Sequence, residues 1–166
     1  SLMLSKNMLA EMNEQIKHEL YSAYLYLSMA AHFEVVDLSG FASWMRIQAA
    51  EEQEHALKFF DHILDRGGKV VLQTIDQPSV EFGSPTSVFE EVLEHEQKVT
   101  ALIHKLYTLA VQENDYASQL FLGWFVNEQV EEEKNASSIV NTLKMVGDKG
   151  IALHRLDHEL GERKAD

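Results

Sequence analysis

Glu19, Glu52, Glu96 and Glu132 each interrupt an otherwise apolar stripe. At the 3-4 spacing that keeps side chains on one face of a helix, the first stripe reads Leu9, Met12, Ile16, Glu19, Ala23, Tyr26, Ala30. The second reads Phe41, Met45, Gln48, Glu52, His55, Phe59, His62, and the third Phe89, Val92, Glu96, Val99, Ile103, Leu106, Ala110. The fourth reads Leu122, Phe125, Gln129, Glu132, Ala136, Ile139, Leu143, Val146. A buried, unpaired carboxylate costs several kcal/mol. Four in one core would rival the ~5–15 kcal/mol that keeps a whole domain folded. No Lys or Arg lies on any stripe to neutralise them. Two divalent cations would, because four glutamates supply four negative charges. His55, three residues after Glu52, adds a nitrogen ligand on the same face, and Gln129, three before Glu132, adds a neutral oxygen. The six groups together describe a two-metal site, with Glu52 best placed to bridge. Taken singly, each glutamate reads more readily as a helix-end or outward-reaching residue, and His55 as a satisfied core histidine. Four coincident interruptions, two of them with an i, i+3 partner, favour the metal.

The elements that must carry these residues follow from the breakers. Glycine and proline are absent from 1–39, 41–66, 86–122 and 124–146, while Gly67, Gly68, Pro78, Gly83 and Pro85 crowd one region. This predicts helices α1 at about 6–34, α2 at about 40–66, α3 at about 86–113 and α4 at about 116–146. A short α5 is expected at about 150–161, after Gly147 and Gly150. The α1–α2 and α3–α4 links are short, which makes each pair antiparallel. The α2–α3 connection, about 67–85, is long. Its ~18 residues can span ~60 Å, enough to run the ~40 Å length of a 27-residue helix. Val70, Leu72 and Thr74 alternate there as if laid against a surface. The expected fold class is all-α: a four-helix bundle of two antiparallel hairpins joined by one long crossover, with a short fifth helix.

Length and charge narrow the function. The 166 residues suit a single domain, 1–166, at ~100–200 residues per domain. With 14 Lys+Arg against 27 Asp+Glu, the net charge of −13 excludes a general nucleic-acid binder, whose affinity rests on basic groups. Absence of cysteine excludes disulfides, iron–sulfur clusters and thiol catalysis. It also fits a reducing, cytoplasmic setting. No apolar run approaches the ~18 residues of a membrane span, and the N-terminus lacks a signal-peptide pattern.

At these residues the chain resembles the ferritins, most closely the prokaryotic non-haem ferritins. The resemblance rests on Asn13-Glu14-Gln15 through Glu19-Leu20-Tyr21-Ser22, Glu51-Glu52-Gln53-Glu54-His55, Glu94-His95-Glu96 and Glu128-Gln129-Val130-Glu131-Glu132-Glu133. A Glu from two helices plus a Glu-x-x-His from each of two others is the known ferritin-like di-iron pattern. One half is altered here, since α4 offers Gln129-x-x-Glu132. The resemblance implies a first iron site at Glu19, Glu52 and His55, and a second at Glu52, Glu96 and Glu132 with Gln129 alongside. It implies that Tyr26 stands beside the diiron centre, although by spacing alone Tyr26 is equally an ordinary core aromatic. It implies a third iron site at Glu51, Glu128 and Glu131, which otherwise read as a solvated acidic face.

Departures separate the subfamilies. Bacterioferritin-like chains would have histidine at Glu132 and a haem-ligating methionine where Gln53 stands, so no haem is expected. Miniferritins build their site between subunits and lack the fifth helix, and rubrerythrin-like peroxidases usually carry a cysteine-ligated iron domain. A mostly carboxylate set with one imidazole suits Fe or Mn over Zn or Cu. The implied activity is that of a ferroxidase taking Fe(II), with O2 or H2O2 as oxidant, in a cage of twenty-four chains that stores ferric mineral. A diiron oxidase or peroxidase without storage, and a metal-free helical scaffold, are the competing readings. In α5, Leu153, Leu156 and Leu160 form a narrow apolar side expected to pack against other copies. His154 and His158, at i, i+4, have the spacing of a metal pair or of two exposed histidines.

Overall fold

Caps and breakers set the helix ends in the computed structural model, which describes residues 3–166. Ser5 accepts the Met8 N–H at 3.0 Å and opens α1, Lys6–Val35. Ser84 accepts the Ser87 N–H at 3.2 Å ahead of α3, Pro85–Gln112, whose first residue is a proline with no N–H to satisfy. Asp115 accepts the Ser118 N–H at 3.0 Å and opens α4, Tyr116–Val146. Gly147, at φ 81°, and Gly150, at φ 87°, take the left-handed backbone that ends α4 and opens α5, Ile151–Gly161. α2, Ser39–Asp65, has no side-chain cap of its own. Every boundary falls within one residue of the sequence expectation.

Three terminal contacts fix the topology. Ser5 Oγ lies 2.7 Å from Glu113 Oε1, so α1 starts where α3 ends. Arg66 Nη1 lies 2.9 Å from Asp115 Oδ1, so α2 ends where α4 starts. Thr86 N–H donates to Asp148 Oδ1 at 2.8 Å, joining the start of α3 to the end of α4. α1 pairs with α2, α3 with α4, and α1 with α3. α2 and α3 therefore run parallel, with the long crossover between them.

The crossover hangs on side chains of α1. Asn13 donates to Lys69 O at 3.0 Å and accepts from Val71 N at 2.8 Å, and Ser28 donates to Ser79 O at 2.6 Å. The expected alternation does not hold along it. Val70 packs on the core, but Leu72 is 66% exposed and Thr74 is exposed as well, and Gln73 and Ile75 are the half-buried residues. No strand among the described residues lies beside it to enforce a two-residue period. The register is set by the Asn13 anchor instead.

The apolar core is two clusters. One gathers Phe33, Phe41, Phe89 and Leu143. The other gathers Met8, Met12, Phe59, Ile103 and Phe125. Between them lies a buried polar band from four helices: Gln15, Glu19, Ser22, Gln48, Glu52, His55, Glu96, Gln129 and Glu132. The α4 stripe drifts by one position at its far end, where Val140 rather than Ile139 is buried. A straight helix turns at 3.6 residues, so a 3.5 pattern cannot hold indefinitely.

α5 corrects an expectation. Its Leu153, Leu156 and Leu160 are 6–8% exposed within the single chain and join the first core cluster, and the helix rests on α2 and α4. The reason is local. A Cβ on Gly40 would overlap the carbonyl oxygen of Asp157, so only glycine lets α5 sit this close to the first turn of α2. From that position buried Asp157 accepts the Phe41 N–H at 2.9 Å and caps α2 from outside. No helix among the described residues is long and apolar enough to cross a membrane.

Candidate metal centre

Each of the six predicted inward groups is buried, and they meet in the polar band. Glu19 from α1 and the Glu52–His55 pair from α2 bring ligand atoms within 4.8 Å of one another. Glu52, Glu96 from α3 and Glu132 from α4 do the same. Glu52 belongs to both groups. The i, i+3 spacing within α2 puts His55 Nδ1 3.4 Å from Glu52 Oε2.

Neighbouring amides and a phenol hold the carboxylates. Gln15 Nε2 donates to Glu19 Oε1 at 3.1 Å. Gln48 Nε2 donates to Glu52 Oε1 at 3.0 Å and to Glu132 Oε2 at 2.7 Å. Gln129 Nε2 donates to Glu96 Oε2 at 3.1 Å, and the Tyr26 hydroxyl donates to Glu96 Oε1. Tyr26 is fully buried against the centre. Gln15 and Gln48 stand four residues before Glu19 and Glu52, a repeat readable in the sequence as an i, i+4 support for each carboxylate.

Crowding moves the protons. Burial, and then the Glu96 charge, push the Glu52 carboxyl well above its ordinary value. Burial lifts Glu96 to about 7 against the hydrogen bonds from Tyr26 and Gln129. Burial and the charge of Glu96 lift Glu132 to about 8. Burial disfavours the imidazolium of His55, but Glu19 and Glu52 beside it outweigh that and raise it to about 11. Burial also opposes ionisation of Glu19, yet the imidazole and its other neighbours hold it below the ordinary range. Glu19 and His55 thus carry opposite charges, while near neutrality Glu52 and Glu132 retain protons and Glu96 does so in part. Burial and the three surrounding carboxylates keep the Tyr26 phenol protonated far into the alkaline range.

Two buried atoms, Glu19 Oε2 and His55 Nδ1, have no hydrogen-bond partner. A cation bound between them would satisfy both. The donor set of carboxylate oxygens and one imidazole fits Fe or Mn, so the residues present fit the ions the sequence called for.

The three outer glutamates do not gather in the same way. Glu128 brings an oxygen within 4.8 Å of His55 and Glu132 ligand atoms. Glu51 is held by Arg163, with Nη2 3.0 Å from its Oε2. Glu131 is exposed, in no three-residue ligand group among the described residues. Arg163 is invisible to a reading of helix stripes, because it arrives from beyond α5. His154 and His158 are exposed, and His158 lies 3.5 Å from Glu162 Oε1.

Residues 9–146 match the family model of the ferritin-like domain. The chain is 45% identical over 161 residues to a bacterial non-heme ferritin of Bacteroides fragilis (strain 638R), covering 97% of this chain and 100% of that protein. It is 39% identical over 164 residues to one from Staphylococcus aureus (strain USA300), covering 99% of both. Among solved structures, it matches an open pore ferritin from the hyperthermophilic archaeon Archaeoglobus fulgidus with TM-score 0.97 and 48% identity, over 99% of this chain and 100% of that one. A closed form of the same ferritin, engineered by site-directed mutagenesis, matches with TM-score 0.96, 48% identity, and coverage of 98% and 99%.

Proposed function

The chain belongs to the ferritin family, and from that premise we propose that it stores iron by oxidising Fe(II) to Fe(III) at a diiron centre inside each subunit. The observation that carries this reading is the pair of buried ligand groups sharing Glu52, with Glu19 Oε2 and His55 Nδ1 left unpartnered between them. Glu19, Glu52 and His55 take one ferrous ion, and Glu52, Glu96 and Glu132, with Gln129 beside them, take the other.

Fe(II) is the substrate, and each ion gives up one electron. Two ferrous ions and H2O2 yield two ferric ions and two hydroxides. With O2 and two protons, two ferrous ions yield two ferric ions and H2O2. The protein supplies the alignment of two one-electron donors, so that the oxidant meets both at once. Carboxylate oxygens favour Fe(III) over Fe(II), which drives the step. The chain also handles protons. Glu52, Glu96 and Glu132 release theirs as ions enter, and Tyr26 keeps its own while donating to Glu96 Oε1. Gln15, Gln48 and Gln129 hold the carboxylates in place while the ions change charge.

On this reading residues 1–166 form a single ferritin-like domain. Twenty-four copies assemble into a cytoplasmic cage without haem, and ferric product leaves the centre for a mineral core. Glu51, Glu128 and Glu131 are the candidate third iron site. Light scattering combined with stepwise aerobic Fe(II) addition tests the proposal. A particle of several hundred kilodaltons taking up far more than three irons per chain supports it. A small oligomer that oxidises iron without retaining it favours a diiron oxidase, and absence of iron binding leaves a helical scaffold.

A further inference from the structure

Arg163 follows the last turn of α5 and reaches back across the bundle to α2. Its Nη1 donates to the Trp44 carbonyl at 3.2 Å. Its Nη2 donates to Gln48 Oε1 and to Glu51 Oε2, both at 3.0 Å, and the guanidinium lies over the Trp44 ring at 4.4 Å. Gln48 is buried, and its other end donates to Glu52 and Glu132.

The chemistry of these two side chains fixes a direction. A glutamine amide has a donor end and an acceptor end of nearly equal size, so on shape alone it fits either way round. A guanidinium only donates. Arg163 must therefore face the amide oxygen, which turns the NH2 group toward the two carboxylates. With the amide reversed, its NH2 would face a guanidinium that cannot accept, and both carboxyl groups would lose that donor.

We propose that Arg163 is a positioning residue for the two-ion centre, locking Gln48 as the hydrogen-bond donor that sets the rotation of Glu52 and Glu132. The inference rests on the iron reading above. α5 thus serves the centre directly: the docking of its three leucines and Asp157 delivers the arginine that orients Gln48.

The sign of one measurement separates positioning from charge. Removing a positive group near a cation site tightens cation binding if electrostatic repulsion is all that changes. Removing a positioning group loosens it. Anaerobic Fe(II) titration by calorimetry on the assembled protein compares wild type, R163M, R163K, Q48A and R163M/Q48A, with thermal unfolding of each metal-free variant alongside. R163M is expected to weaken Fe(II) binding about tenfold, as loss of a group supporting metal ligands does. In the Q48A background the same change is expected to move affinity by less than about twofold, because the coupled partner is gone. R163K keeps the charge and a single donor nitrogen but not the fork that spans Trp44, Gln48 and Glu51, and it falls between. Unchanged or tighter binding in R163M, or an equal loss with and without Gln48, overturns the inference. A wild type that binds no Fe(II) overturns the iron reading itself, which a normal wild type with an unaffected R163M leaves standing.

Discussion

Glu19 Oε2 and His55 Nδ1 lie 3.8 Å apart, and among the described residues they are the only buried side-chain polar atoms without a hydrogen-bond partner. Their separation is too long for a good hydrogen bond. Their opposite charges attract across that gap, and a cation entering between them would supply the partner that each atom lacks.

Loading the centre should release protons. At pH 7 the metal-free site holds protons on Glu52, on Glu132 (about 8), partly on Glu96 (about 7) and on His55 (about 11). Ligands must shed them, so anaerobic binding of two Fe(II) should release about three protons per chain. Calorimetry in buffers of different ionisation enthalpy reads that number. Release of fewer than one proton would mean that the ions bind elsewhere.

Stability of the metal-free protein should fall as pH rises from about 4.5 to 8. The folded-state values of Glu52, Glu96 and Glu132 lie above the ordinary glutamate value. The stability tied to those protons is therefore fully present below about 4.5 and lost as pH climbs through 7 and 8. For Glu96 and Glu132 the loss is of the order of a few kcal/mol each. Bound metal should remove this dependence, and chelation should restore it. Thermal melts of loaded and chelated protein at pH 5 and pH 8 check both; melting points that ignore both pH and chelator contradict the account. E52Q, which relieves the crowding, should raise the metal-free melting temperature at pH 8.

E52A and E96A should abolish rapid Fe(II) oxidation, with losses of about 100-fold or more, since each removes more than a supporting contact. Helicity should persist, because the bundle is held by the two apolar clusters on either side. Stopped-flow oxidation with far-UV circular dichroism tests this, and wild-type kinetics in both variants would remove these residues from the mechanism.

Much of this centre is legible in the sequence, and the reason is geometric. Glu19, Glu52, Glu96 and Glu132 sit on helices long enough for a 3-4 register to be counted, and a charge on an apolar stripe is a local signal. Helix ends are legible because breakers such as Pro85 and Gly147 act on their own neighbours, whereas the cap at Ser5 emerges only from the structure. The failures involve long-range partners. Leu72 and Thr74 alternate in sequence, but their register is set by Asn13, 56 to 58 residues away from the backbone groups it holds. The docking of α5 depends on Gly40 meeting Asp157, and Arg163 meets Gln48 across 115 positions. No local periodicity encodes such meetings.

Y26F should slow Fe(II) oxidation by about tenfold without abolishing it, the size expected for a group that supports a ligand. The Tyr26 hydrogen bond opposes the effect of burial on Glu96. Without it the Glu96 carboxyl should rise further above about 7, and the pH profile of Fe(II) binding should move to higher pH. A profile that stays in place, or moves to lower pH, would assign Tyr26 to packing alone.

G40A tests whether α5 belongs to the architecture of the centre. An alanine methyl would overlap the Asp157 carbonyl, so α5 must lift. That movement separates Asp157 from the Phe41 N–H and draws Arg163 away from Gln48. Overpacking and a lost cap together should cost about 3 kcal/mol, a fall of roughly 6–12 °C in melting temperature for a chain of this size. Phe41 opens α2, whereas Glu52 lies three turns further along, so Glu52 itself should stay in place. Fe(II) binding should therefore weaken to the level of R163M rather than vanish. If G40A melts like wild type, α5 is not seated on α2 in solution. If it melts low but binds Fe(II) as wild type does, α5 stabilises the bundle without orienting the carboxylates.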